Sequence, residues 1–527
     1  MQTTGVPAAR AAGARALAAA TPATRDRFVD LLRVASLGTV VLGHWLMAAV
    51  AVGADGRAEV GNLLAVVPAL QPATWLLQVM PVFFFVGGFS HALSHRSLRR
   101  RTPSAAAGAS GADVYPVFLR ARLQRLLRPA MVFTAVWGAG ALAVQLAGGG
   151  GALADTAARL AAQPLWFIGV YLAMVALTPP LLRLHGRYGW GAFAAAVAAA
   201  ALVDVLRFAA GVPYVEFLNF ALVWLAVHQL GFLRADGRLG PGPHVPAALA
   251  LTGLASAAAL VALGPYPLSM VGMPGEPVSN MAPPTLALLC HGMWLVGAVE
   301  LLRGPAARLL ERPRVWRAVV AANGVAMTAF LWHLTAMLGV YGLLLALGAP
   351  FPDPAGAAWW AWAPVRVAAA AVLTALLVAV FRRFERPAPA PGPATVPAPA
   401  PAPGSTARPA VRSAVRSRAA APAAAFGVAL CLLGVLGLSA VGFGGLLEGR
   451  SALLVAVPVT APAAVALAAV GWLLVERAGR AGRAGPLTTA RAPETAPAPP
   501  DAGAPGGADA TTDAAGYAGR RIGVSGS

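Results

Sequence analysis

Lysine is absent from the 527-residue chain, so all forty of its basic residues are arginine. Acidic residues are few as well: twenty, which leaves a formal charge of +20. That excess invites a nucleic-acid reading. The arginines sit in short clusters between long apolar runs, however, and membrane topology accounts for them better. The missing lysine and the surplus of alanine point to a GC-rich genome, a statement about codons. Charge as a whole is scarce, 11% of residues against roughly a quarter in a soluble domain. The hydrophobic share is 58% and the mean hydropathy +0.69, which excludes a soluble domain of this size. The two cysteines, Cys290 and Cys431, both lie in apolar runs, so neither a disulfide framework nor a metal site is supported. No long polar segment exists that could form an attached hydrolase-like domain.

What is present is a series of apolar runs, each near the ~20 residues that cross a bilayer. They fall at about 28–51, 73–95, 130–148, 165–183, 190–209, 215–233, 245–264, 283–302, 318–346, 362–381, 424–446 and 452–475. Residues 1–24 are Ala-rich, broken by Arg10 and Arg15, and read as a disordered cytoplasmic lead rather than a signal peptide. A Pro/Ala-rich linker, 388–422, is expected to be extended. It precedes a two-helix hairpin at 423–476 and a tail, 477–527, expected to be disordered. With the N-terminus inside and twelve alternating spans, Arg57, Arg159, Arg207, Arg366 and Arg450 fall outside. The remaining thirty-five of the forty fall inside. That bias predicts a multi-pass protein of the plasma membrane with both termini cytoplasmic. The fold class is all-α and polytopic.

The first span carries Asp30, Arg33 and His44. Arg33 and His44 are eleven residues apart, which at 100° per residue is about 20° beyond three full turns, so both project from one face. Their axial separation is ~16 Å. Asp30 shares that face and can pair with Arg33. Arg33 is placed near the cytoplasmic interface and His44 near mid-membrane. Buried ionisable residues in a span mark function, and imidazole exchanges protons near neutral pH. A transporter or flippase would also use such a track, but the internal repeat common in transporters is missing.

RFVDLLRVASLGTVVLGHW, residues 27–45, resembles the first transmembrane helix of the acyltransferase 3 family, whose hallmark is an arginine and a histidine separated by ten residues, with an aspartate three before the arginine. MPVFFFVGGF at 80–89 resembles the family's MPLFFFLSGF stretch, and FLRARLQRLLRP at 118–129 its arginine-rich approach to the third span. PLWFIGVYL at 164–172, FLWHL at 330–334 and FRRFERP at 381–387 resemble family landmarks in the expected order. The resemblance covers residues 25–387 and implies a ten-helix bundle, to which the last two spans are an addition. Gly87 stands where the family often has serine, and Arg128 where it often has proline.

The resemblance implies a membrane O-acyltransferase. The donor would be acyl-CoA, acetyl-CoA foremost, with no permanently bound cofactor; the acceptor would be a hydroxyl on a carbohydrate, glycolipid or secondary metabolite. Such transfer needs a base for the hydroxyl, a polarised thioester carbonyl and a hold on the anionic donor. His44 is read as that base, or as a covalent acyl relay, with Arg33 and Asp30 orienting the site. Arg122 and Arg125, three apart on one helical face, suit the donor's phosphates. His333 is a further candidate near the cavity, and Glu385 is expected to pair with a nearby arginine. Asn280, Pro283 and Pro284 read as loop and helix-start residues. His91, His95, His185 and His228 support no ligand set, and His291 reads as a packed, hydrogen-bonded residue.

Overall fold

A hydrocarbon interior offers no partner for backbone N–H and C=O groups, so each spanning segment must satisfy its own, and the helix does so. In the computed structural model, residues 19, 21, 25–52, 58–101, 114–273, 275–385 and 408–481 are described. The described residues fall in one compact unit. α1 (Arg27–Met47) leads into an antiparallel hairpin, β1 (Ala48–Val52) and β2 (Ala58–Asn62), and three short helical turns over residues 63–77 reach α2 (Met80–Arg101). α3 (Val114–Leu146), α4 (Ala152–Ala162), α5 (Leu165–Tyr188) and α6 (Trp190–Phe208) follow. Next come α7 (Asn219–Ala235), α8 (His244–Leu263), α9 (Leu286–Leu301), α10 (Arg303–Glu311) and α11 (Pro313–Asn323). α12 (Ala326–Ala346) and α13 (Ala357–Phe381) precede α14 (Arg408–Val441), the ribbon β3 (Ser451–Leu454) and β4 (Val457–Thr460), and α15 (Ala461–Ala481). Among the described residues eleven helices are long and apolar enough to cross a bilayer, or twelve with the bent pair α9–α10 as one span. The chain is an all-α polytopic membrane protein.

Several boundaries differ from the apolar runs. The first run extends to residue 51, but α1 stops at Met47, where Ala48 turns extended and its N–H closes on the His44 carbonyl. Alternating valines and the Gly-rich GADGR that follows favour a hairpin over more helix. His44 therefore stands in the last turn of α1 rather than midway along a span. The ninth run is two helices, broken at Gly324 and Val325. The expected linker lies outside the described residues up to 407, but from Arg408 the backbone is helical, because AVRSAVRSRAAA is built of helix formers. The tail begins later than expected: α15 runs to Ala481, and residues 482–527 lie outside the described set.

Lipid tails are as apolar as leucine, so helices here are held by close packing rather than by exclusion from water. Phe84 of α2 stacks on Phe167 of α5 with ring centroids 5.6 Å apart and meets Trp224 of α7 at 4.8 Å. Phe167 in turn meets Phe330 of α12 at 4.8 Å. Three of the quoted segments thus converge on one aromatic knot. α2 and α7 touch backbone to backbone: a Cβ on Gly88 would lie 2.0 Å from the His228 carbonyl oxygen, and one on Gly231 would lie 2.3 Å from that of Phe85.

Candidate functional site

The aromatic knot and the break before α12 bring two histidines, 289 positions apart, into contact. His44 Nδ1 and His333 Nε2 are 2.8 Å apart, with the rings nearly parallel at 5.0 Å. His333 is fully buried, while His44 keeps part of its surface open. The protons follow from the partners. His333 Nδ1 faces the Phe330 carbonyl, which can only accept, so Nδ1 carries the hydrogen. In a neutral ring Nε2 is then the acceptor, and His44 Nδ1 must donate to it. That assignment leaves the His44 Nε2 lone pair free, which is the state a general base needs. Trp45 Nε1 donates to the His333 carbonyl at 3.1 Å, and Tyr341 of α12 donates to the Ala48 carbonyl at 3.0 Å. These bonds tie the end of α1 and the start of β1 to α12.

A second group gathers toward the N-terminal end of α1. Arg33 donates to Ser90 Oγ at 3.1 Å, and Arg122 of α3 donates to the Ser90 carbonyl at 2.8 Å. Arg125, exposed one turn further along α3, lies within electrostatic reach of Arg122, as does Arg33. Two guanidiniums thus meet at one serine, with a third within electrostatic reach. Asp30, the acid expected to balance Arg33, is shared between two arginines. Asp30 receives Arg25 at 2.6 and 3.1 Å, and its distance to Arg33 is 4.0 Å. The fork of Arg25, just ahead of the helix, binds both oxygens and so is the closer of the two partners of Asp30. The bond from Asp30 raises the Arg25 pKa above its ordinary value, against its partial burial. With Asp30 shared and Glu385 within electrostatic reach of Arg125, the three arginines still outnumber the carboxylates near them, the condition that suits an anionic ligand. α1 is unbroken from Arg33 to His44, so the ideal spacing holds, but Arg33 meets α2 whereas His44 meets α12.

Arg125 lies within electrostatic reach of Glu385, and the hydrogen bonds of the Glu385 carboxylate run to α12. Its Oε1 accepts from Met327 N at 3.1 Å, and its Oε2 accepts from Thr328 N at 3.1 Å and Thr328 Oγ1 at 2.6 Å. It caps the first turn of α12, where the backbone donors have no helical partners. Burial nevertheless raises its pKa above the ordinary glutamate value.

Sequence reasoning passed over a second histidine pair. His91 Nδ1 lies 3.0 Å from His228 Nε2, and His91 Nε2 lies 2.9 Å from the Tyr171 hydroxyl, next to the Arg33–Ser90–Arg122 group. The available signal was the spacing Gly88-x-x-His91 and His228-x-x-Gly231: residues three apart share a face, so the glycine contact delivers both imidazoles. His185 also has partners, Asp236 at 2.8 Å and Gln229 at 2.7 Å. His291 is packed and bonded, its Nε2 lying 3.0 Å from the Trp75 carbonyl. Asn280 braces its loop through the Pro267 and Ser269 carbonyls at 2.7 and 3.0 Å. Among the described residues no group of three or more His, Cys, Asp or Glu is placed to hold a metal ion.

Residues 26–382 match the family described as an acyltransferase domain. No curated protein and no solved structure matches the chain. The matched segment is well over half of the sequence and runs from α1 through α13. It carries His44, His333, Arg33, Arg122 and Arg125, and stops short of Glu385 and of the α14–α15 hairpin. This multi-pass membrane protein belongs to the acyltransferase 3 family.

Proposed function

We propose that this acyltransferase is an O-acyltransferase with His44 as its general base, taking an acyl group, acetyl foremost, from acyl-CoA. The acceptor is a hydroxyl of a carbohydrate, glycolipid or secondary metabolite. The observation that carries this reading is the 2.8 Å contact between His44 and His333, because its tautomer leaves His44 Nε2 basic. The acceptor hydroxyl gives its proton to Nε2 as its oxygen bonds to the thioester carbonyl carbon. The carbon–sulfur bond then breaks, and the thiolate leaves and takes up the proton from the imidazolium. His333 orients His44 throughout, as the third member of a nucleophile–base–orienter set does. Arg33, Arg122 and Arg125 receive the donor phosphates, and the ~16 Å along α1 from Arg33 to His44 is bridged by the donor's extended pantetheine arm. The arginine bias supports a plasma-membrane protein with both termini cytoplasmic, and hence a donor site on the cytoplasmic side.

The test is transfer from radiolabelled acetyl-CoA by protein reconstituted in nanodiscs. His44→Gln keeps a hydrogen bond but loses basicity, and is expected to lower turnover on the order of 10²–10⁴-fold with donor binding retained. Turnover at the wild-type rate would sink the proposal. Label held on the denatured wild-type chain at His44 would make the residue a covalent relay instead of a base.

A further inference from the structure

The α14–α15 hairpin lies outside the matched segment, yet it seats on the helix that bears Arg122 and Arg125. At the far end of α3, Phe443, just after α14, stacks on Trp137 with centroids 6.0 Å apart and meets Phe133 at 6.1 Å. At the near end, Glu476 of α15 receives Arg120 Nε at 3.2 Å and Gln124 Nε2 at 2.9 and 3.3 Å. The Arg120 and Glu476 side chains are each only 13% exposed. Three residues on, the Arg120 side chain lies across α15 at Gly479, where a Cβ would fall 2.4 Å from Arg120 Cβ. Only glycine admits that approach.

The helical wheel of α3 gives the contact its meaning. Taking Arg120 as 0°, Gln124 falls at about 40°, Arg125 at about 140° and Arg122 at about 200°. At this end α15 thus grips one face of α3, while Arg122 and Arg125 project from nearly the opposite one. Arg120, Arg122 and Arg125 fall within two turns and repel one another, and Glu476 is the carboxylate that draws the first of them to the back of the helix. We propose that Glu476 is a positioning residue of the donor site: by holding Arg120 and Gln124 it fixes the roll of α3 and so aims Arg122 and Arg125. The two extra spans then belong to the donor-binding machinery and are not an appendage. This inference rests on the reading of Arg122 and Arg125 as donor-binding.

The test measures KM for acetyl-CoA and kcat separately on full-length protein in nanodiscs, with insertion and thermal stability monitored. Glu476→Gln, which keeps the shape and removes the charge, is expected to raise the donor KM on the order of tenfold, since small misplacements of binding groups are costly. Its kcat at saturating donor should stay within about twofold. Glu476→Arg should do more damage, and adding Arg120→Glu to it should restore most of the affinity, as a reversed pair would. A merely structural role would lower stability without moving KM and without rescue by the swap. Arg122→Ala is the control. If it raises the donor KM while Glu476→Gln and the swap pair leave KM unchanged, the positioning role is refuted and the donor site stands. If Arg122→Ala itself leaves KM unchanged, the donor reading fails and this inference with it.

Discussion

His333 touches no acceptor or donor in the proposed reaction, yet replacing it tests the proton assignment directly. In His333→Ala the His44 Nδ1–H loses its acceptor at 2.8 Å. A buried donor left unmatched costs about 1–3 kcal/mol, and the imidazole relieves that cost by turning or by moving its hydrogen to Nε2. Either change removes the basic nitrogen from the reacting position. At about 1.4 kcal/mol per factor of ten, the penalty converts to a loss of roughly 5- to 150-fold in kcat. The donor KM should hardly move, because the arginine group lies at the other end of α1. His333→Gln offers an amide oxygen in place of Nε2 and should recover most of the loss. The measurement is turnover against acetyl-CoA concentration at equal membrane expression. An alanine variant with wild-type kcat, or a glutamine variant as impaired as alanine, would refute the tautomer argument. Trp45 bonds to the backbone of His333, not to its side chain, so that anchor survives both substitutions.

Three further outcomes follow from the geometry. Gly88→Ala is expected to abolish accumulation of folded protein, since its Cβ would lie 2.0 Å from the His228 carbonyl oxygen, whereas Gly87→Ser, whose Cβ would meet nothing nearer than 3.6 Å, should be tolerated; equal expression of the two would contradict the close α2–α7 contact. Burial raises the Glu385 pKa, so its folded state holds a proton that the unfolded chain releases near pH ~4.3; stability is complete below that pH and declines as pH rises through the raised value. Thermal melts of Glu385→Gln between pH 4 and 7 should lose that slope, and unchanged slopes would count against it. Labelling of single cysteines at positions 10 and 510 should fail from outside intact cells, and reaction at either would overturn the proposed topology.

The sequence disclosed the spans well because the bilayer demands long apolar runs, and the arginine clusters between them are read by topology rather than by packing. Local chemistry misled where it competed with that demand: the valines and glycines after Met47 end α1 four residues early, and Gly324 splits the ninth run. At the candidate site, the periodicity of α1 located Arg33 and His44, but it could not say that one meets Ser90 and the other His333. Those partners lie on other helices, and no local signal pairs residues 289 apart. Asp30 was only half legible for a related reason: helical spacing finds Arg33, its partner at 4.0 Å, but is blind to Arg25, which sits just before the first turn and binds it more closely. Glu385 looked like an ion-pair partner because arginines precede it in sequence, while the unmet donors of α12 become its partners only in three dimensions.

The contacts along α12 also bear on how it can move. Glu385 holds its first turn through Met327 and Thr328, Trp45 holds it at His333, and Tyr341 holds it to Ala48. A step of one residue along a helix is ~1.5 Å of rise and ~100° of rotation. Either displacement is enough to carry the His333 ring away from His44 and to miss all three fastenings at once. The paired imidazoles thus require α12 in this register against α1. In the proposed reaction a bulky acceptor has to be admitted by parting other helices, because loosening α1 from α12 would separate the two imidazoles.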